Sequence, residues 1–360
     1  MPEPKGPNQT MPAKSPSPPI RKAVMTMSDM ARLAGVSEST VSRSLADSPL
    51  IAEETRRRIQ ELARATGYSV NSAASSLRTK QPKVIAVIVP LVHEKTQHLS
   101  DPFMTTMVSY LADALAERGY DLLLSKVAVH QDGWIEQLIR TRRASGAVFI
   151  GQSLEHFAIE QAARAGFPLI VWGARLEHQS YATIGSDNRQ GGYLAARHLL
   201  QTGRQQIAFL GPPQSVPEVA QRYEGFVRAH VEAALSPSDC IRVNCGFTPA
   251  QAYEATTDLL AHKPAIDGVA AASDVIAMSA IRGLSEAGRS VPGDVGVVGF
   301  DDVIMAAFTT PPLTTIRQDL RRGALLLVDG VITLASGGSA GSVEMPAELI
   351  VRGSTSAPAA

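Results

Sequence analysis

From residue 84 onward, short apolar runs alternate with longer stretches of mixed polarity. The runs are VIAVIVP (84–90), DLLLSKV (121–127), GAVFI (146–150), PLIVWG (168–173), QIAFLG (206–211), GVAAAS (268–273) and VGVVGF (295–300). An apolar run without polar alternation fits a strand buried on both faces, as in a parallel sheet. The intervening segments 103–119, 188–203 and 274–288 are long enough for crossover helices. Alternating strand and helix predicts an open, doubly wound α/β fold. There are too many strands for one comfortable sheet, and the break at Thr202-Gly203-Arg204 predicts two lobes. Ligands of such pairs lie between the lobes, at the carboxyl ends of the strands. The positions just after the runs are therefore pocket candidates: Leu91, Lys126, Gln152, Trp172, Ser273, Asp274 and Asp301.

The pattern before residue 69 is helical. Thr26 can cap a first helix with Asp29 in its first turn. Gly35 can take the positive φ of a tight turn. Ser37 can cap a second helix, STVSRSLA. Ala31, Leu33, Val36, Val41 and Leu45 are spaced to bury one face. A third helix is predicted over 53–66, with Ile59, Leu62 and Ala63 inward and Arg56, Arg57 and Arg58 largely outward, ending at Gly67. Helix, glycine turn, helix is the helix-turn-helix pattern. Glu38, Ser39, Ser42 and Arg43 point off its core, as a major-groove reader requires. Arginine can bond guanine O6 and N7 together, and serine or threonine can bond bases or phosphates. A helical module that binds protein is the competing reading.

Composition narrows the class. The chain has 360 residues, is 44% hydrophobic and 19% charged, which is ordinary for globular domains. Two cysteines, Cys240 and Cys245, cannot staple a fold of this size, and they fit a reduced, cytoplasmic setting. No apolar run approaches the roughly 20 residues of a membrane span. The proline-rich residues 1–24 lack a signal-peptide core and are expected to be disordered. The formal net charge of zero hides an asymmetry. Residues 1–80 carry 12 Lys/Arg against 7 Asp/Glu, a net +5, which the remaining chain balances. A basic head joined to an acidic body suggests a polyanion-binding module on a separate domain.

The segment MSDMARLAGVSESTVSRSLADSP, continued by RRRIQELARATGY and NSAASSLRT, resembles the N-terminal domain of the lactose/galactose repressor (LacI/GalR) family. The resemblance extends over about residues 25–355, and the AGVS-x-x-TVSR core carries its specificity. It implies that Glu38 and Ser39 choose the operator sequence and that Arg43 contacts a base. Ser37, Thr40 and Ser42 become phosphate or base contacts, and Thr26 joins the DNA-facing set. Residues 71–79 resemble the family's hinge helix, in which Asn71 and Ala74 meet DNA and Leu77 wedges into the minor groove. Two departures stand out: Ala46 replaces a common Asn, and Val70 a common Pro.

The same resemblance implies a sugar-binding core like that of periplasmic binding proteins. Asp101 and Phe103, in DPFM, match a polar and an aromatic pocket group. Arg222, in RYEGF, matches the arginine that bonds the effector, and a planar fork can hold two sugar hydroxyls or a carboxylate at once. Asp301, in GFDD, matches an effector-contacting aspartate, with Asp274 a second candidate and Gln318 close by. Asp187 is expected to be an N-cap, and Gly191 and Gly192 to be helix-packing glycines. Trp172 reads equally as a stacking platform for a sugar ring or as core, and Phe103 shares that ambiguity.

The expected organisation is a proline-rich extension (1–24), a DNA-binding head (25–70), a hinge helix and linker (71–82), and an effector and dimerisation domain (83–355). Lobe 1 takes about 83–203 plus 316–342, and lobe 2 about 204–315 plus 343–355. Without a heptad tail after IVRGST, a homodimer on a pseudo-palindromic double-stranded DNA operator is expected. The implied function is a transcriptional regulator, a repressor of carbohydrate genes, whose operator affinity a small sugar changes. The alternative is a sugar-binding protein with no regulatory role, which would lack the head. No P-loop, HExxH or GxSxG motif points to an enzyme, and neither cofactor nor metal is expected.

Overall fold

The computed structural model describes residues 25–68, 82–91, 99–128, 143–152, 156–235 and 240–355, together with Ile135 and Thr141. Its backbone divides into two compact units, Met1–Thr79 and Lys80–Ala360. The hinge candidates Asn71, Ala74 and Leu77 lie outside the described residues.

The head comprises α1 (Met27–Ala34), α2 (Glu38–Leu45) and α3 (Glu53–Thr66). Local chemistry sets its boundaries. Thr26 Oγ1 accepts from the Asp29 N–H at 3.2 Å, while the Asp29 carboxylate accepts from the Thr26 N–H at 3.1 Å. Ser37 Oγ accepts from the Thr40 N–H at 3.2 Å. Gly35 (φ +64°) ends α1 and Gly67 (φ +65°) ends α3 in the left-handed conformation glycine takes without penalty. Met30, Ala31, Ala34, Val41, Ile59 and Ala63 form the core. Leu33 departs from expectation, being 56% exposed. At 100° per residue it stands roughly 110° from the centre of the stripe that Met30, Ala31 and Ala34 define.

The body contains two six-stranded sheets. The first has strands β1 (Val84–Leu91), β2 (Asp121–Ala128), β3 (Gly146–Ile150), β4 (Leu169–Trp172), β5 (Ala182–Ser186) and β11 (Val343–Met345), in the order β11-β5-β4-β3-β1-β2. The second has β6 (Ile207–Gly211), β7 (Ile241–Asn244), β8 (Gly268–Ala271), β9 (Gly296–Asp301), β10 (Thr314–Arg317) and β12 (Glu348–Ile350), in the order β12-β10-β9-β8-β6-β7. All pairings are parallel except β12 against β10. The seven expected runs are all strands. The other five are short and carry Thr, Arg, Asn or Glu, so no continuous apolar run announces them.

Helices α4 (Pro102–Glu117), α5 (His156–Arg164) and α10 (Leu320–Ala335) accompany the first sheet; α6 (Asn188–Gln201), α7 (Pro217–Glu232), α8 (Pro249–His262) and α9 (Asp274–Glu286) accompany the second. This corrects the expected lobe division. The break falls at Asp187, one helix before Gly203, because α6 packs on α7 and the second sheet. Likewise β10 ends lobe 2, α10 and β11 belong to lobe 1, and β12 returns to lobe 2. The chain thus passes between lobes three times, near residues 187, 318–320 and 345–348.

Gly191 and Gly192 explain the tight seat of α6. A Cβ on Gly191 would lie 2.6 Å from the Phe300 ring, and one on Gly192 only 1.9 Å from the Arg222 carbonyl oxygen. Gly225 on α7 is the reciprocal contact, 1.9 Å from the Arg189 carbonyl oxygen. Backbone approach this close admits only glycine on either helix.

Candidate functional site

Both sheets have the strand order 2-1-3-4-5 at their centres, and their switch points fall beside the first strand of each lobe. Asp101 follows β1 and Gln152 follows β3. Glu218 and Arg222 lie on α7 after β6, and Asp274 follows β8. One fold rule therefore brings Asp101, Gln152, Glu218 and Arg222 from distant sequence toward the space between the lobes, with Asp274 buried behind them.

Arg222 is 8% exposed. Its Nε donates to Asn188 Oδ1 at 2.9 Å, and one Nη donates to the Ala272 carbonyl. The guanidinium lies over the Phe300 ring, 3.6 Å from its centroid. Burial lowers its pKa, opposed by the negative charges of Asp301, Glu218 and Asp274. Asp301 accepts from Gln318 Nε2 at 2.7 Å. Burial raises the Asp301 pKa well above the usual carboxylate range; Arg222 pulls it back, and Asp274 and Asp101 push it further up. Asp301 also carries a φ of +121°, and Asp302 one of +55°. Such strain persists only where the surroundings over-determine it. Here Asp302 is clamped by Arg317 at 2.7 Å and Arg352 at 2.6 Å.

Asp274 has a different place from the one expected. It is fully buried, accepting from the Val303 N–H at 2.8 Å and from the Thr315 hydroxyl. A Cβ on Gly299 would collide with it at 2.2 Å. With both oxygens engaged it is a buttress behind Asp301. Burial, the largest effect, pushes its pKa up to about 7.

Asp101 caps α4, accepting from the Phe103 and Met104 N–H groups at 2.9 and 3.4 Å, and burial raises its pKa. With Pro102, Phe247, Thr248, Val275 and Met278 it lines a cavity of about 410 Å³ between the lobes. Trp172 belongs to the core of lobe 1, at 5% exposure. Its ring fills the space above Gly323, whose Cβ would be 2.3 Å away. Phe103 lies 6.4 Å from it, ring to ring, at the edge of the same core. Of the two readings of Trp172, the structure fits the core one.

Two cleft residues escaped the sequence reading. Glu218, one turn before Arg222, accepts from the Ala174 N–H of lobe 1 at 3.1 Å, and burial raises its pKa. An acid four residues before an arginine on a helix reads as a surface pair. Phe247 follows β7, a strand without an apolar run to mark it.

On the head, Ser37, Glu38, Ser39 and Arg43 are exposed along α2, Thr40 and Ser42 are half-buried, and Val41 and Ser44 face inward. Ser37 Oγ lies 2.8 Å from Ser39 Oγ and 2.9 Å from Thr40 Oγ1, so three hydroxyls cluster at the helix start. That end presents unpaired N–H groups suited to a phosphate. Thr26 is exposed, its hydroxyl bonded to Asp29 at 2.7 Å.

A helix-turn-helix head and a two-lobed body with a polar cleft define the class of ligand-responsive DNA-binding regulators. Residues 26–71 match the description "Bacterial regulatory proteins, lacI family", and residues 196–355 match "Periplasmic binding protein-like domain". The HTH-type transcriptional regulator CelR of Thermobifida fusca is 30% identical over 321 residues, covering 86% of this chain and 93% of CelR. The HTH-type transcriptional repressor CytR of Escherichia coli K12 is 29% identical over 342 residues, covering 94% and 98%. Among solved structures, the lac repressor dimer bound to operator and an anti-inducer matches with a TM-score of 0.80 at 25% identity, covering 92% of this chain and 99% of that one. A CelR–cellobiose complex matches with a TM-score of 0.67 at 26% identity over the same shares. The chain belongs to the LacI family of bacterial transcriptional regulators, which are not enzymes. Among the described residues no helix is long and apolar enough to cross a membrane.

Proposed function

We propose that this chain represses carbohydrate-utilisation genes, binding a pseudo-palindromic operator as a homodimer whose affinity changes when a small sugar enters the cleft. Arg222, Asp301 and Gln318 carry the reading. They come from separate elements yet share one buried polar cluster at the switch point. Arg222 and Asp301 influence each other's ionisation, and sugar hydroxyls can bridge such a donor and acceptor. The likenesses to a cellobiose complex, to a ribose-bound regulator from Enterococcus faecium (27% identity, TM-score 0.67) and to the operator-bound lac repressor dimer support it. On DNA, Glu38, Ser39 and Arg43 read base edges, and Ser37, Thr40, Ser42 and Thr26 hold phosphates. Asn71, Ala74 and Leu77 form the hinge contact. Such a protein works where the chromosome is, in the cytoplasm.

Arg222→Ala tests the cleft. The variant keeps operator affinity within about threefold. Its effector binding falls by about 1.5–3 kcal/mol, on the order of 10- to 100-fold, the worth of charge-assisted hydrogen bonds. Fluorescence anisotropy on an operator duplex selected from a randomised pool, with and without sugar, reads both. A normal sugar response by this variant refutes the assignment.

A further inference from the structure

Helix α2 presents two long charged side chains of opposite sign, Glu38 in its first turn and Arg43 in its last, and both are exposed. The polar side chains between them reach less far. Ser39 Oγ is turned back onto Ser37 Oγ at 2.8 Å, inside the hydroxyl cluster at the helix start, and Ser42 is half-buried. The ion pairs of the head are Arg32–Asp29, Arg56–Asp47 and Arg57–Glu61; none among the described residues engages Glu38 or Arg43. A recognition helix meets base edges through its N-terminal residues, and Glu38 is the first residue of α2.

A carboxylate at that place is repelled by the phosphates of every duplex, whatever its sequence. Only a base that donates to it can offset the repulsion. Ionised glutamate accepts and never donates, and arginine does the reverse. In the major groove guanine shows only acceptors, which suit Arg43. Thymine shows an acceptor and a methyl group, and adenine a donor beside an acceptor that repels a carboxylate. Cytosine is the one base whose edge offers a donor, its N4 amine, with no acceptor beside it.

Resting on the DNA-binding reading above, we propose that Glu38 is a cytosine selector and a charge filter. It accepts from a cytosine N4 amine at one position of each operator half-site, and its charge weakens binding to any duplex that lacks cytosine there.

The test is selection from a randomised pool by the full chain, then anisotropy on the selected duplex with all four bases placed at each half-site position. The wild type prefers cytosine at one position per half-site by about tenfold or more. Glu38→Gln moves that preference to adenine, whose N6 and N7 match a carboxamide, and leaves the other positions unchanged. Glu38→Ala levels the position and binds random duplex about two- to fivefold more tightly. N4-methylcytosine keeps the base pair and blocks the groove-facing hydrogen; placed there, it weakens the wild type about tenfold and leaves Glu38→Ala unaffected. If the position that answers to Glu38→Gln holds any base but cytosine in the wild-type operator, or if no position answers, this inference falls and the operator reading stands. A wild-type pool that enriches no sequence overturns the operator reading and this inference with it.

Discussion

Asp274 shows how one side chain ties stability to pH. Its pKa in the unfolded chain lies near the ordinary aspartate value of about 3.9; burial raises it to about 7 in the folded protein. Between those values the native state holds a proton that the unfolded chain has released. Its contribution to stability is therefore complete below about pH 4 and is lost as pH rises toward and through 7. Asp274→Asn removes that loss, so the melting temperature of the variant declines less between pH 5 and 8 than that of the wild type. Parallel melts of the two proteins check this; identical slopes contradict it. At this scale the sequence was most legible where chemistry is local. Thr26, Ser37 and Asp187 cap, and Gly35 and Gly67 turn, because each acts on backbone within a few residues. Asp301 was marked by its place just after a strand run, whereas Arg222 and Gln318 were reachable only through family resemblance. Glu218 and Phe247 acquire a role only when the tertiary fold brings them to the cleft, so no local pattern marked them.

Among the elements, the crossing of α6 and α7 sets the position of Arg222, whose carbonyl oxygen is the atom a Gly192 side chain would strike. Because that neighbour is backbone, it cannot rotate away. Gly192→Ala therefore costs about 3 kcal/mol, the upper end for overpacking, and displaces Arg222. Gly225→Ala meets the Arg189 carbonyl and costs a similar amount. Once one methyl has spread the helices the second finds room, so the double variant loses less than the sum of the two. Urea unfolding of the three variants measures this, and strict additivity contradicts it. The same pair of helices explains why the lobe boundary was misplaced in the sequence. Gly203 punctuates the chain more visibly than Asp187, but the chain changes lobes where α6 begins, and that choice is made by packing against Phe300 and α7 rather than by a turn residue. The short strands β5, β7, β10, β11 and β12 were invisible for a related reason: hydrogen bonding to neighbouring strands, rather than their own apolar content, holds them in the sheets.

For the whole molecule, operator recognition joins two sets of DNA contacts. The head supplies phosphate and base-edge groups whose nonspecific share depends on charge. On the proposed function, Leu77 supplies a wedge that requires deformable base steps. Leu77→Ala therefore lowers operator affinity by about tenfold or more and leaves affinity for random duplex within about twofold. Equal losses on both DNAs would argue that Leu77 is only a linker residue.

The threefold passage of the chain between lobes, near residues 187, 318–320 and 345–348, has a mechanical corollary. Three side-by-side straps act as a door hinge: they permit rotation about the line through them and resist shear and separation. A single peptide-bond cut in any one strap leaves two intact. A nicked body should therefore migrate as two fragments in denaturing gels yet elute as one particle from a native sizing column, still swinging about the same axis.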